Sequence, residues 1–346
     1  MKVGIVGLPS SGKTTLFQAL IGSNFPVLFD KPNLGSVKVF DKNIQELSDY
    51  FKPKKTTFAE ITFVDIPGVP VGIENSKRRS EVFTNIKNVD ALIEVVDGFS
   101  GGTIEEKIYN FDSDLIILDM DVIERRIERL SKEKLDFQKE KEKRLLEKFL
   151  DTLNNSLPLR TIELSREERA IIRSFEFFTI KPILYLINIR DTDLSRKNEI
   201  KENLSGKLKN RANLVIVMPV ELEKELSELG EPERSEFLQS YGLEEPALPE
   251  VIRASMELLN YHTFYTVGGD EVRAWLLERG ANARTAASII HSDIEKGFIA
   301  AEVISFEELK SVGFSLKEAK AKGLLKIEGE DYIIGENEVL HFRFNI

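Results

Sequence analysis

Gly7-Leu8-Pro9-Ser10-Ser11-Gly12-Lys13-Thr14, close to the start of the chain, decides the fold. These residues complete the pattern G-x-x-x-x-G-K-[ST], and their flanks suit it. Lys2-Val3-Gly4-Ile5-Val6 before them is a short β-branched run of the kind that forms a buried parallel strand. Thr14-Thr15-Leu16-Phe17-Gln18-Ala19-Leu20-Ile21 after them starts a helix with Leu16, Leu20 and Ile21 on one face. Strand, glycine-bracketed loop and helix N-terminus in succession make a phosphate cradle. Gly7 and Gly12 let successive N–H groups converge on phosphate oxygens, and the helix dipole adds to that field. The expected nucleotide contacts are Pro9, Ser10, Ser11, Gly12, Lys13, Thr14 and Thr15. Lys13 is placed to bridge β- and γ-phosphate oxygens, and the Thr14 hydroxyl to ligate Mg2+.

The chain has 346 residues, of which 42% are hydrophobic and 31% charged, enough for two or three domains. No apolar run approaches the roughly 18 residues that span a bilayer. Met1-Lys2 opens directly into the first strand, so the expectation is a cytoplasmic protein without a signal peptide or membrane partner. The sequence contains no cysteine, which excludes disulfides, thiol catalysis and cysteine-based zinc sites. A formal net charge of −10 argues against wrapping nucleic acid with the whole surface, while a local basic face is compatible with it.

Short apolar runs alternate with helical patterns in the first hundred residues, the mark of βαβ units on a parallel sheet. Strands are expected at 58–64, ending in Asp65-Ile66-Pro67-Gly68, and at 91–96, ending in Asp97-Gly98. Two more are expected at 182–187, ending at Asn188, and at 213–218, ending at Pro219. Polar and turn residues thus collect at the carboxyl ends, where open α/β sheets bind ligands. Residues 119–150 differ in texture: they hold no Gly or Pro and carry 10 Lys/Arg against 9 Asp/Glu. Ile123, Ile127, Leu130 and Phe137 step at heptad-like intervals, and Leu145, Leu146, Phe149, Leu150 and Leu153 continue the stripe. A long helix or antiparallel helical hairpin follows, closing with 165–176. Its solvated face is either inert or, through its Lys/Arg, a dock for RNA or a ribosome. From about Thr263 a strand hairpin, a helix and further strands, among them 332–334, suit a small α+β roll. That segment has 14 acidic against 10 basic residues, so any RNA contact there is local.

Asp65-Ile66-Pro67-Gly68 has the D-x-x-G form that follows a strand in Ras-like NTPases. Asp65 would hold the Mg2+ shell and the Gly68 N–H would sense the γ-phosphate, so Lys13 and Gly68 are the expected catalytic groups. The base-reading N-K-x-D is replaced by Asn188-Ile189-Arg190-Asp191. The missing Lys weakens the case for guanine, while an acid at 191 is retained.

With these motifs the chain resembles the YchF group, the Obg-like ATPases, over essentially its whole length. The resemblance rests on the phosphate loop, on Phe63-Val64-Asp65-Ile66-Pro67-Gly68 and on the N-x-x-acid at 188–191. Glu244-Glu245-Pro246-Ala247-Leu248, Glu271-Val272-Arg273-Ala274-Trp275, residues 291–299 and the terminal His341-Phe342-Arg343-Phe344-Asn345 extend it. It implies an α/β fold with a Ras-like P-loop sheet, an inserted coiled-coil-like hairpin and a C-terminal β-grasp (TGS) domain. The expected bounds are 1–117 and 178–262 for the nucleotide domain, 118–177 for the insertion and 263–346 for the TGS domain. It also implies ATP favoured over GTP, slow hydrolysis, Mg2+, and association of a monomer with the ribosome or RNA through the insertion or the TGS domain.

Some positions depart from that pattern. Ser10 stands where the family usually has Asn, a residue that helps hold potassium. Phe29 stands at the first-switch threonine within Asn24–Asn33 and cannot ligate Mg2+. Asp191 replaces the commoner Glu. Val69 follows Gly68 where Ras-like enzymes place the Gln that orients water. Hydrolysis is therefore expected to be slow, and a nucleotide-gated binding module with little turnover is the alternative reading. His262, His291 and His341 lack metal-ligand spacing, and Trp275 and Phe298 are read as core residues.

Overall fold

The computed structural model describes residues 1–28, 31–68, 76–134, 136–208, 214–268 and 270–345. Phe29, Val69, Asn213 and Gly269 lie outside the described residues. In chain order the strands are β1 (Lys2–Val6), β2 (Asn33–Lys38), β3 (Lys55–Thr57), β4 (Glu60–Asp65), β5 (Ala91–Asp97) and β6 (Ile183–Asn188). They continue with β7 (Leu214–Met218), β8 (Tyr261–Val267), β9 (Glu271–Glu278), β10 (Phe298–Ser305), β11 (Lys326–Glu328) and β12 (Glu338–Phe344). The chain divides into two compact units, one of residues 1–36 and 62–258, the other of 37–61 and 259–346.

The first unit is built on a sheet of order β2-β4-β1-β5-β6-β7, in which β4-β1-β5-β6-β7 pair in parallel. The β-branched runs that suggested buried strands are buried: Val3, Ile5, Ile61, Phe63, Ile93 and Ile183–Ile187 have almost no exposure. Strand β1 lies between β4 and β5, so the chain leaves it toward one side of the sheet and returns on the other. That switch point puts the loop after β1 in the crevice at the carboxyl ends. Strand β2, Asn-Leu-Gly-Ser-Val-Lys, mixes polar and apolar residues without the alternation that would reveal it.

Within this unit the helix Ile104–Lys132 runs without interruption, opened by a Thr103/Glu106 capping box. Its first half packs Ile108 and Leu115 on the sheet, and its second half packs Ile123 and Leu130 into a separate cluster with Leu146, Phe149, Leu153 and Phe177. The expected insertion boundary at 118 therefore falls inside one continuous helix that begins at 104. The return helix, Phe137–Asn154, is capped by Asp136. It is joined across the hairpin by a two-bond Arg126–Glu142 pair at 2.7 and 2.9 Å.

Four polar groups are buried where the helix Ile104–Lys132 crosses the sheet. Arg160 donates to Asp112 and, at 2.9 Å, to the Tyr185 hydroxyl, which donates to Asp112 at 3.0 Å. Glu94 on β5 is 3% exposed, and its Oε2 has no hydrogen-bond partner. Burial first, and the nearby Asp112 second, push its carboxyl well above the ordinary range.

The second unit has a mixed sheet of order β11-β10-β12-β8-β9-β3. Antiparallel β8–β9 and a parallel β12–β8 pair give it the β-grasp form. Under it Phe264, Leu277, Ala283, Ala286, Val303 and Leu340 form the core. Trp275 packs against this core, donates to Thr266 Oγ1 at 2.9 Å and carries the Arg273 guanidinium 3.9 Å above its ring. The domain bounds need one correction, since residues 37–61 belong to this unit and not to the nucleotide domain. The physical reason lies in four contacts. Strand β3 extends the sheet in parallel with β9, and Thr57 donates to Glu271 at 2.5 Å. The Tyr265 hydroxyl donates to Asp41 at 2.5 Å, and Lys310 pairs with Glu46 at 2.6 Å. The expected strand at 332–334 is a single bridge between Ile333 and Asn282.

Glu94 sets a pH signature. A buried acid whose folded pKa is raised holds its proton in the folded state, so it favours folding below 4.5 and loses that advantage as pH rises through the folded value. Glu94→Gln keeps the shape and removes the charge. Its stability relative to wild type should therefore increase from pH 5 to pH 8 in urea unfolding, whereas a constant difference would show that folding does not raise the Glu94 pKa.

Candidate functional site

Gly12 is the N-cap of the helix Lys13–Ile21, with φ +101°. A Cβ there would stand 2.5 Å from Asn188 Nδ2. Two constraints, a left-handed backbone and contact with a buried amide, therefore require glycine. Asn188 is 7% exposed and uses both ends of its carboxamide. Nδ2 donates to the Ser11 carbonyl at 3.0 Å, and Oδ1 accepts the Val220 N–H at 3.0 Å. Its first role is thus to hold the phosphate loop against β6 and the helix Val220–Glu228. Ile189 is buried in the sheet core and its N–H donates to Met218.

Lys13 is 6% exposed, and its ammonium donates to the Leu8 carbonyl at 2.6 Å, arching back over the loop. Burial lowers its pKa to about 8, against the opposing pull of Asp65. Asp65, at the end of β4, is 3% exposed. Its Oδ2 accepts from the Thr14 hydroxyl at 3.0 Å and from Asn33 Nδ2 at 3.2 Å, while Oδ1 is buried without a partner. Burial raises its pKa in spite of those two hydrogen bonds and Lys13. Gly68 closes the group: a Cβ on it would meet the Gly7 carbonyl at 2.9 Å, Lys13 Nζ at 3.0 Å and Pro9 N at 3.2 Å. The sequence-separated motifs at 7–14 and 65–68 are therefore in contact. Among the described residues no group of three or more His, Cys, Asp or Glu could hold a metal. A metal here would depend on Thr14, Asp65 and the ligand's phosphates, and the orphaned Asp65 Oδ1 beside the Thr14 hydroxyl fits Mg2+.

Beside the phosphate loop lies a cavity of about 610 Å3. Ser10, Gly12, Thr15, Asn188, Ile189 and Asp191 line it, all residues the sequence had singled out, and Asp191 is exposed with its carboxylate on the Thr192 N–H at 2.8 Å. Arg190 of the 188–191 motif and Pro219 at an expected strand end also line it, and Phe99, Glu221, Leu222, Glu225 and Tyr241, which were not foreseen, complete the lining. Arg190 lies 5.9 Å from the Phe99 ring centre. The loop carrying Phe99 is fixed by Asp97, which accepts the Phe99 and Ser100 N–H groups at 2.9 and 3.0 Å. Lys107 ties it further, donating to the Asp97 and Ser100 carbonyls at 2.8 and 3.2 Å. Of these, Phe99 had a signal that could have found it, since it directly follows the expected strand end at Asp97-Gly98. Tyr241 and Glu225 come from helical segments brought in by tertiary packing.

The comparisons agree with this geometry. The chain is 37% identical over 363 residues to the "Ribosome-binding ATPase YchF" of Haemophilus influenzae, covering 100% of this chain and 99% of that one. It is 34% identical over 371 residues to the Bacillus subtilis protein of the same name, covering 100% of both. The chain belongs to the YchF family. Residues 2–148 match the family described as "50S ribosome-binding GTPase", and 261–345 match the YchF-GTPase C-terminal family, described as "Protein of unknown function (DUF933)". The solved YchF GTPase of Schizosaccharomyces pombe superposes with a TM-score of 0.85 at 27% identity, over 99% of this chain and 97% of that one. Family membership thus accounts for the α/β P-loop fold and for the β-grasp unit seen here. Among the described residues no helix is long and apolar enough to cross a membrane.

Two substitutions probe the site. Asn188→Ala leaves the Ser11 carbonyl and Val220 N–H without their partner and should cost about 1–3 kcal/mol of stability in denaturant unfolding. Gly68→Ala should fold, yet separate the 65–68 loop from Gly7 and Lys13. In calorimetric titrations it should bring ATP affinity down to that for ADP, and a retained preference for ATP would refute the γ-phosphate role of Gly68.

Proposed function

We propose that the chain is a slow Mg2+-dependent ATPase whose nucleotide state governs its docking on the ribosome. The observation that carries the reading is the cluster of Lys13, Thr14, Asp65 and Gly68, with one buried carboxylate oxygen unpartnered. Lys13 would leave the Leu8 carbonyl for β- and γ-phosphate oxygens, which restore the charge partner that burial denies it. Backbone N–H groups of 9–15 would hold the phosphates, and Thr14 and Asp65 would hold the metal. When bound, Mg2+ neutralises charge developing on the β- and γ-phosphate oxygens. The Gly68 N–H would read the γ-phosphate. With valine at 69 the chain supplies no side chain there to orient water, which supports slow turnover. One chain contributes every residue named, so a monomer suffices.

The cavity supports adenine over guanine. Its lining offers the carboxylates of Asp191, Glu221 and Glu225, which accept hydrogen bonds, beside donors on Arg190, Ser10, Thr15 and Tyr241. An adenine amino group meets acceptors there, whereas guanine O6 requires a donor. Discrimination is modest, because guanine's own N–H groups also suit Asp191: ATP leads GTP by about tenfold or less, about 1.4 kcal/mol. The names of the relatives support a ribosomal partner and a cytoplasmic setting, with the helical hairpin or the β-grasp unit as the contact.

Phosphate release with Mg-ATP and Mg-GTP is the direct test. Turnover of ATP should exceed a Lys13→Ala control, whose nucleotide affinity should fall about 10–100-fold. Turnover of neither nucleotide above that control would favour the alternative, a nucleotide-gated binding module suggested by Phe29 and Val69. Asp191→Ala should cost little with ATP and more with GTP, and an equal large loss with both would make Asp191 a support for the loop.

A further inference from the structure

We propose that Asn33 is a positioning residue for the metal site, coupling the Asp65 carboxylate to the backbone of the first switch. The inference rests on the assignment of Thr14 and Asp65 to Mg2+ made above. Asn33 is 4% exposed and stands at the start of β2, beside β4 in the sheet. Its Oδ1 accepts the Leu28 N–H at 2.8 Å, and its Nδ2 donates to the Leu28 carbonyl at 2.9 Å. The second Nδ2 proton goes to Asp65 Oδ2 at 3.2 Å, an oxygen that also accepts from Thr14 at 3.0 Å.

A carboxylate turns about its terminal torsion unless something holds it. Two donors on Oδ2, one from the phosphate-loop helix and one from β2, fix the plane and thereby fix Oδ1. That oxygen is buried and unpartnered, aimed by its sibling's bonds and ready to face a metal-bound water. Only a carboxamide does both jobs at position 33, because it brings one acceptor and two donors. An aspartate would set oxygen against oxygen, and a leucine would leave both Leu28 backbone groups unpartnered. The first-switch position expected to carry threonine is Phe29, which cannot reach a metal through oxygen. The Asn33–Asp65 hydrogen bond gives the switch a route to the metal that does not use that residue. Outer partners of metal ligands typically account for 10–100-fold in metal affinity.

Calorimetric titration of the full chain with ADP, in EDTA and across a Mg2+ series, tests this on wild type, Asn33→Ala and Thr14→Ala. Asn33→Ala should bind ADP within about twofold of wild type in EDTA, while the Mg2+ concentration for half effect rises about tenfold. Thr14→Ala should lose the Mg2+ effect. Amide exchange provides a second reading that needs no variant: Mg2+ added to the wild-type ADP complex should slow exchange at Leu28. An equal loss of ADP affinity with and without Mg2+ would make Asn33 merely structural. A wild-type Mg2+ response in Asn33→Ala, or Leu28 exchange indifferent to Mg2+, would overturn the coupling. A wild type that binds ADP equally in EDTA and Mg2+ would instead overturn the assignment of the metal to Thr14 and Asp65.

Discussion

The Asn188 carboxamide is the tie on which the nucleotide site depends. Its two hydrogen bonds run to the Ser11 carbonyl and the Val220 N–H, joining the phosphate loop to the far side of the sheet. The close approach also dictates the chemistry of the loop, because Gly12 abuts the same amide nitrogen and no larger residue fits. With that contact made, the loop's N–H groups have a fixed direction before any phosphate arrives, which is the preorganisation that anion binding requires. A residue read from sequence as part of the base pocket thus acts first on the phosphate side.

Two buried carboxylates in the same sheet show how context separates structure from function. Glu94 and Asp65 are each 3% exposed, and each has an oxygen without a partner. Glu94 lies with Asp112, Tyr185 and Arg160 beneath the long helix, where one guanidinium serves two acids, so the proton is the natural way to relieve the charge. Asp65 lies at a strand end in the crevice, where burial raises its pKa against the pull of two donors and Lys13. A carboxylate with one unpartnered oxygen at the mouth of a phosphate loop is open to a cation as well as to a proton. The difference lies in the neighbours and in the position along the strand.

Sequence reading reached the central strands, the phosphate loop and the contact between 7–14 and 65–68, because each has a strong local cause: β-branched runs, obligatory glycines and fixed spacing. It missed β2 and β3, short strands of mixed or polar residues with little buried surface and no alternation. It placed the insertion boundary at 118, where the helix shows no break because one stripe serves two cores in turn. Part of the cavity lining, including Tyr241, Glu221 and Glu225, was illegible for a similar reason: the residues come from the helix Val220–Glu228 and the end of the helix Glu231–Ser240 and meet the 188–191 motif only in the fold. Asn33 escaped notice as a site residue because its three hydrogen bonds join positions 5 and 32 residues away.

The excursion of residues 37–61 into the second unit begins and ends on the two strands that carry Asn33 and Asp65. Strand β2 starts at Asn33 and runs out at Lys38, and β4 enters at Glu60 and finishes at Asp65. Between these ends Ser36 and Thr62 share a hydroxyl–hydroxyl contact of 3.1 Å, which holds the strands together just before the chain departs. Strands transmit displacement along their length better than loops do, since sliding one breaks ladder bonds and turns every side chain to the other face. Asp65 and Asn33 are therefore mounted at one end of a paired element from whose other end the chain runs into residues 37–61. A sequence split into a nucleotide domain and a C-terminal domain hides this, because the split follows chain order while the sheet does not.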